Sequence, residues 1–555
     1  MSLAAGLPVL LLCAEFLLRA LDVAPEARFF VESEEGRFRA CERSPWGNAA
    51  EIFNHESFGA HKAGMRIFCV GASTVRGFPF DPNVCFPRWL ELRLKALFPD
   101  LSIEVITCAG NGRNAAAIAD LVEELVEYQP DAILLYSGHN EMHAWNRGRL
   151  ENPGRFRVQR FLGRSTLVSW IWRLAGVEPG SWSRELRDPA GEAADSPAGN
   201  LFHEPAERTR PEIWERAFAL YEESLERMAR ATRSHEVALV MSTLASNLAD
   251  YPPARSVLDL STAEGREAWQ RFESFSAAMK ANAPPEARGW EVEHWERDWL
   301  VAAGAATMVD ELEKAVDRSP QTAVFHYFLG RAQLSTGDRD GAFLSFRNAR
   351  DLDEFPVRAV SRFSDIVRTV AGRHGLECVE PESLFEDRAN GNPPGRESFV
   401  DNVHPNFAGQ RLLARSFLEA LQRLGIPRAS NSWNFALEPD EATYERSMAL
   451  KERAPRIAAK LADVGMRSLH GLAPHGIRLR PSVRTAFQLA LELDPQSAEA
   501  QLGKAVLELV AGDADSAATL EQIVDHRPDL LPQLARIAAA HSDWCKLLSP
   551  VLSGR

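Results

Sequence analysis

The chain has 555 residues, 45% of them hydrophobic and 25% charged, with a formal net charge of -14. That length exceeds one ordinary domain, and the composition is that of a globular protein, which excludes wholesale disorder. The dispersed negative charge argues against nucleic acid as the main partner, and the Arg-rich stretch Arg147 to Arg164 reads as a solvated face.

Leu3 to Ala14 is an apolar run that Glu15 and Arg19 then interrupt. It lacks the leading positive charge of a signal peptide and falls short of the roughly 20 residues of a bilayer span. Two readings of residues 1–26 stay open: a membrane anchor, giving membrane association and a periplasmic or outward-facing location, or a buried helix, compatible with the cytoplasm.

From Arg66 onward short apolar runs alternate with helical periodicity. "RIFCV", "IEVIT", "AILLY" and "VALVMS" read as strands; "PRWLELRLKALF", "NAAAIADLVEELVEY" and "WERAFALYEESLERMARATRSH" read as helices. Strands of about five residues between helices predict an α/β fold, a parallel sheet covered on both faces. Two segments interrupt the alternation. Residues 144–204 hold Trp145, Trp170, Trp172 and Trp182 among Gly, Pro and Arg, which suits a lid or a plain surface excursion. Residues 264–355 are helical; Leu329, Gly330, Ala342, Phe346 and Ala349 sit where a 34-residue tetratricopeptide repeat packs its helices, as do Phe487, Ala490 and Pro495 near the C-terminus. A generic helical hairpin is the plainer alternative. The predicted organisation is an N-terminal segment at 1–26, a core at 27–263 and 356–427, a helical insertion at 264–355 and a C-terminal helical region at 428–555.

Polar clusters follow three successive strands: "GASTVRGFPF" from Gly71, "CAGNGRNA" from Cys108 and "SGHNE" from Ser137. In a parallel sheet all three emerge at the carboxyl edge, where open α/β sheets bind ligands. A fourth cluster, "DNVHP", places Asp401 three residues before His404, ahead of a helix that Pro405 can open. A carboxylate on one ring nitrogen fixes the tautomer of a histidine, and the other nitrogen then takes a proton from a serine such as Ser73. The backbone N–H groups of Ser73 and Gly110 (or Gly112) and the amide of Asn140 are candidate oxyanion donors.

Ser73, Gly110, Asn140 and His404, in that order on those elements, resemble the four blocks of the SGNH (GDSL-type) hydrolases, in a bacterial subgroup carrying tetratricopeptide repeats. The resemblance covers about Arg66 to Leu424 without the two interruptions. It implies a flavodoxin-like three-layer sandwich and a Ser73–His404–Asp401 triad with an oxyanion hole from Ser73, Gly110 and Asn140. The implied activity is cleavage of an acyl or acetyl ester, on a carbohydrate or a lipid, without a cofactor. Ala72 stands where the family usually has an acidic residue, and Glu141 where it often has Asp. In "SNLADYPP", Asn247 and Asp250 line the cleft or cap a turn; His139 shapes its rim. His139, Glu141 and His143 miss the HExxH spacing of a zinc site, so no metal is expected. An O-acyltransferase using the same triad, and an inactive interaction protein that binds a partner through its repeats, are the rival readings.

Overall fold

A computed structural model describes residues 13–18, 28–41, 57–80, 84–142, 211–284, 297–428, 440–470, 480–540 and 542–553, with isolated positions between these stretches. Most of residues 1–26 (13–18 are described, as helix), nearly all of the tryptophan-rich 144–204 segment, and His143 lie outside the described residues.

Ten strands are described. A small antiparallel sheet joins β1 (Phe30–Glu32), β2 (Arg37–Ala40) and β3 (Phe58–Gly59). The main sheet is formed by β4 (Met65–Gly71), β5 (Ile103–Ala109), β6 (Ala132–Tyr136), β8 (Ala238–Ser242) and β10 (Glu377–Val379), while β7 (Phe202–His203) pairs with β9 (Ser256–Val257). The main sheet is wholly parallel in the order β10-β8-β6-β4-β5. Numbered by chain position its strands run 2-1-3-4-5, the flavodoxin-like order, with the topological switch between β4 and β6.

Every residue of β4 and of β6 is buried. Helices explain this: Phe86–Leu97 and Phe407–Leu424 pack together on one face, and Ala115–Leu125, Pro211–Ser234 and Ser361–His374 on the other. A strand covered on both sides gains from apolar residues at every position, which is why these segments read as unbroken runs rather than alternating ones.

The helical insertion is present. Its helices Ala263–Ala281, Val309–Arg318, Ala323–Thr336 and Arg339–Asp351 share one apolar core with the C-terminal helices Leu450–His470, Arg480–Leu493 and Ala498–Val510. The cluster also takes in Phe80, Leu248 and Val400 of the core. Helix Ala323–Thr336 is buried from Ala323 to Gln333 without a polar stripe. Its start is tied to the core by Thr322, whose hydroxyl donates to the Val257 carbonyl at 2.7 Å, and by Val324, whose N–H reaches Ser256 Oγ at 2.9 Å.

Candidate active site

The register of the sheet aligns the polar clusters. Gly71 at the end of β4 pairs with Ala109 on one side and Tyr136 on the other, so Ser73, Gly110 and Gly138 leave the sheet within about two residues of the same level. A Cβ on Gly71 would lie 2.3 Å from both the Tyr136 carbonyl oxygen and a Val75 methyl, so only glycine lets the chain turn here into the single-turn helix Ser73–Arg76. Ser73 opens that turn. Its N–H is among the first-turn donors that no carbonyl of the same helix accepts.

The fourth cluster arrives from 331 positions away: His404 Nε2 lies 2.7 Å from Ser73 Oγ. On its other side His404 Nδ1 is 2.6 Å from Asp401 Oδ2. Asp401 Oδ1 accepts the backbone N–H groups of Val403 (3.0 Å) and His404 (2.8 Å), which close the turn on itself. Burial pushes the Asp401 carboxyl up. The His404 charge and the three hydrogen bonds outweigh that, so its pKa lies below the ordinary carboxylate value. Ionised, Asp401 is an acceptor, so Nδ1 carries the ring proton and Nε2 faces the hydroxyl with a lone pair.

Two residues that the sequence did not single out brace this arrangement. Thr74 Oγ1 donates to the Val403 carbonyl at 3.3 Å, tying the serine turn to the histidine turn. Gln410 Oε1 accepts the Phe86 N–H at 2.8 Å, and its amide reaches the Thr74 carbonyl at 3.5 Å. A fully buried glutamine among Leu413, Ala414 and Phe417 on an apolar helix face is the signal that could have found it. Phe78 lays its ring 4.7 Å from that of His404.

The third cluster answers to its own constraints. Gly138 has φ +143°, and a Cβ there would lie 2.4 Å from Leu244, so the turn after β6 needs glycine. Asn140 Nδ2 donates to the Arg113 carbonyl at 3.0 Å, which orients the amide toward the second cluster. In that cluster Gly112, at φ +70°, makes the turn, whereas Gly110 directly continues β5 beside Ala72. Glu141 accepts the Ala115 N–H at 2.9 Å and so completes the start of helix Ala115–Leu125. Among the described residues no group of three His, Cys, Asp or Glu is arranged to hold a metal.

His139, Asn247 and Asp250 all have partners within the protein. His139 Nδ1 accepts the Ala359 N–H at 3.2 Å, and Nε2 lies 3.4 Å from the Tyr136 hydroxyl. Burial, with the nearby His404 charge, pushes its pKa down to about 3. Asn247 and Asp250 are also engaged inside the protein. Asn247 Nδ2 donates to the Asp401 carbonyl at 3.0 Å, and Asp250 Oδ1 pairs with Arg331 Nη1 at 2.9 Å. Asn247 Oδ1 also accepts the Asp250 N–H at 2.9 Å, the turn cap that the sequence offered as one of two readings of this loop.

No family model and no curated protein matches the chain. Among solved structures, the chain is similar to an α/β hydrolase enzyme from the metagenome of Lake Arreo, Spain, with 13% identity over 65% of this chain and 96% of that one, at a TM-score of 0.28. It is likewise similar to an acetylxylan esterase from Geobacillus stearothermophilus, with 12% identity over 67% of this chain and 98% of the other, at a TM-score of 0.28. The fold assignment rests on the strand order of the main sheet.

Proposed function

We propose that the chain is a serine hydrolase of the SGNH type that cleaves an ester bond. The observation that carries this reading is the hydrogen-bonded line Ser73 Oγ–His404 Nε2, His404 Nδ1–Asp401 Oδ2 at 2.7 Å and 2.6 Å. Ser73 Oγ attacks the ester carbonyl carbon while His404 Nε2 takes the hydroxyl proton, and Asp401 stabilises the imidazolium that forms. The oxyanion is met by the N–H groups of Ser73 and Gly110 and the Asn140 amide, each such donor lowering the barrier by about 3 kcal/mol. His404 then gives its proton to the leaving alkoxide. Water, deprotonated by the same ring, releases the acid and restores Ser73.

We read the helical hairpins as degenerate tetratricopeptide-like repeats that brace the core. Helix Ala323–Thr336 is buried over eleven consecutive residues within the chain.

Ser73→Ala tests the proposal. Hydrolysis of p-nitrophenyl acetate is expected to fall by about 10⁴-fold or more, with an unchanged melting temperature, because the hydroxyl is small and half-exposed. Wild-type protein should be labelled by a fluorophosphonate and the variant should not. Undiminished turnover in the variant rejects the assignment.

A further inference from the structure

The turn that carries Asp401 and His404 has no helix; it is held locally by the bridge Phe399–Pro405 and the Asp401 Oδ1 bonds, and from the serine turn by Thr74. A working site needs its groups fixed to about 0.5 Å, so something outside the turn must supply the rigidity. One residue from another element grips it at two points. Asn247, in the loop after β8, gives its backbone N–H to the Asn402 carbonyl at 2.9 Å and its side-chain amide to the adjacent Asp401 carbonyl at 3.0 Å. Consecutive peptide carbonyls of the turn are thereby held by a single buried asparagine.

Asn247 is itself fixed from behind. Its Oδ1 accepts the Asp250 N–H at 2.9 Å, and its carbonyl accepts Arg358 Nη1 at 2.5 Å. The Asp250 carboxylate binds Arg331 Nη1 at 2.9 Å and the Arg396 N–H at 2.9 Å. Arg331 belongs to helix Ala323–Thr336 and also donates to the Ala249 and Trp295 carbonyls, each at 2.8 Å. A chain of bonds thus runs from the helical insertion through Asp250 and Asn247 to the peptide of Asp401. A stable fold would be served as well by an apolar contact, since a buried ion pair is weak evidence for stability in itself. What the polar chain adds is direction: it fixes the plane of the Asp401 peptide, and with it the aim of the carboxylate.

We infer that Asn247 is the positioning residue of the Asp401–His404 turn, and that the helical insertion acts on the reaction through Arg331, Asp250 and Asn247. The inference rests on the serine-hydrolase reading above. Asn247 touches neither Ser73 nor the His404 ring in the described bonds, so its effect must pass through the turn.

The test is Asn247→Leu, of similar volume and without the two side-chain bonds, alongside Asn247→Ser, which leaves room for water should the leucine variant fail to fold. Both are assayed on p-nitrophenyl acetate and by the rate of fluorophosphonate labelling, per folded molecule. The expected result is a fall in kcat of about 10–10²-fold with KM within about twofold, and labelling slowed in parallel. A role in folding alone would lower the melting temperature and leave kcat and the labelling rate unchanged; that result overturns the inference while an active, labelled wild type keeps the hydrolase reading. A wild type that neither labels nor turns over removes both.

Discussion

Two histidines stand at the same edge of the main sheet, one in the turn after β6 and one in the turn before helix Phe407–Leu424, and their partners make them opposites. His404 Nδ1 meets a carboxylate oxygen at 2.6 Å; His139 Nδ1 meets a peptide N–H at 3.2 Å. An acceptor opposite Nδ1 puts the ring proton there and leaves Nε2 with a lone pair, aimed at a serine. A donor opposite Nδ1 does the reverse, and places the proton on Nε2 toward the Tyr136 hydroxyl. Burial then completes the difference at His139, where no carboxylate faces the ring and the pKa is pushed down to about 3. Residue type and place in the fold are shared, so the partner at one nitrogen decides which imidazole can act as a base.

The largest expected effect breaks the comparison outright if it fails. His404→Ala should lower kcat for p-nitrophenyl acetate by about 10⁶-fold, the scale on which a triad is lost as a unit. If the same change at residue 139 proved the more damaging to kcat in folded protein, the roles would be exchanged. Asp401→Asn sharpens the comparison more finely. An amide can turn its nitrogen toward Nδ1 and so give His404 the environment of His139, with a donor facing the ring; kcat should fall by about 10⁴-fold with the fold intact. Retention of full activity would mean that the carboxylate does not set the tautomer. Asn140→Ala leaves both histidines as they are and removes one oxyanion donor, for an expected loss of about 10²–10³-fold in kcat and little change in KM. A loss confined to KM would place Asn140 in ground-state binding instead.

The sequence made some of this legible, for physical reasons that differ by element. β6 matches its predicted run from Ala132 to Tyr136, because a strand buried on both faces leaves an unbroken apolar record. β10 escaped notice because it has only three residues, two of them half-buried, two positions after Gly375. The meeting of Ser73 with Asp401 and His404 was legible because each stands in a distinctive short motif at an element boundary. Gln410 stands in none, and Thr74 only beside Ser73; their importance comes from bonds across more than three hundred positions, which no local pattern records. The partners of His139 are the Ala359 N–H, 220 positions away, and the Tyr136 hydroxyl, the first of which no local pattern records. The fusion of the insertion with the C-terminal helices was hidden for a related reason. Each has its own periodicity, and only the folded chain brings their apolar faces into one cluster.

The smallest expected effect concerns stability and isolates His139. Its folded pKa of about 3 lies far below the unperturbed value near 6.5, so the unfolded chain binds a proton that the folded protein refuses. The sign follows from linkage: the contribution is fully present above the unfolded value and is lost progressively as pH falls from about 6.5 toward 3. Between pH 7.5 and 5.5 this amounts to about 1.4 kcal/mol for one group, while a carboxylate such as Asp401, whose folded pKa is depressed below the ordinary value, loses its contribution only below about pH 4. Urea titrations of wild type and His139→Gln at the two pH values give the quantity as a difference of differences, in which the other histidines cancel. The variant should be less sensitive to pH by about 1.4 kcal/mol. Equal sensitivity would show that the imidazole at 139 accepts a proton in the folded protein as readily as in water, and the contrast between the two histidines would lose its physical basis.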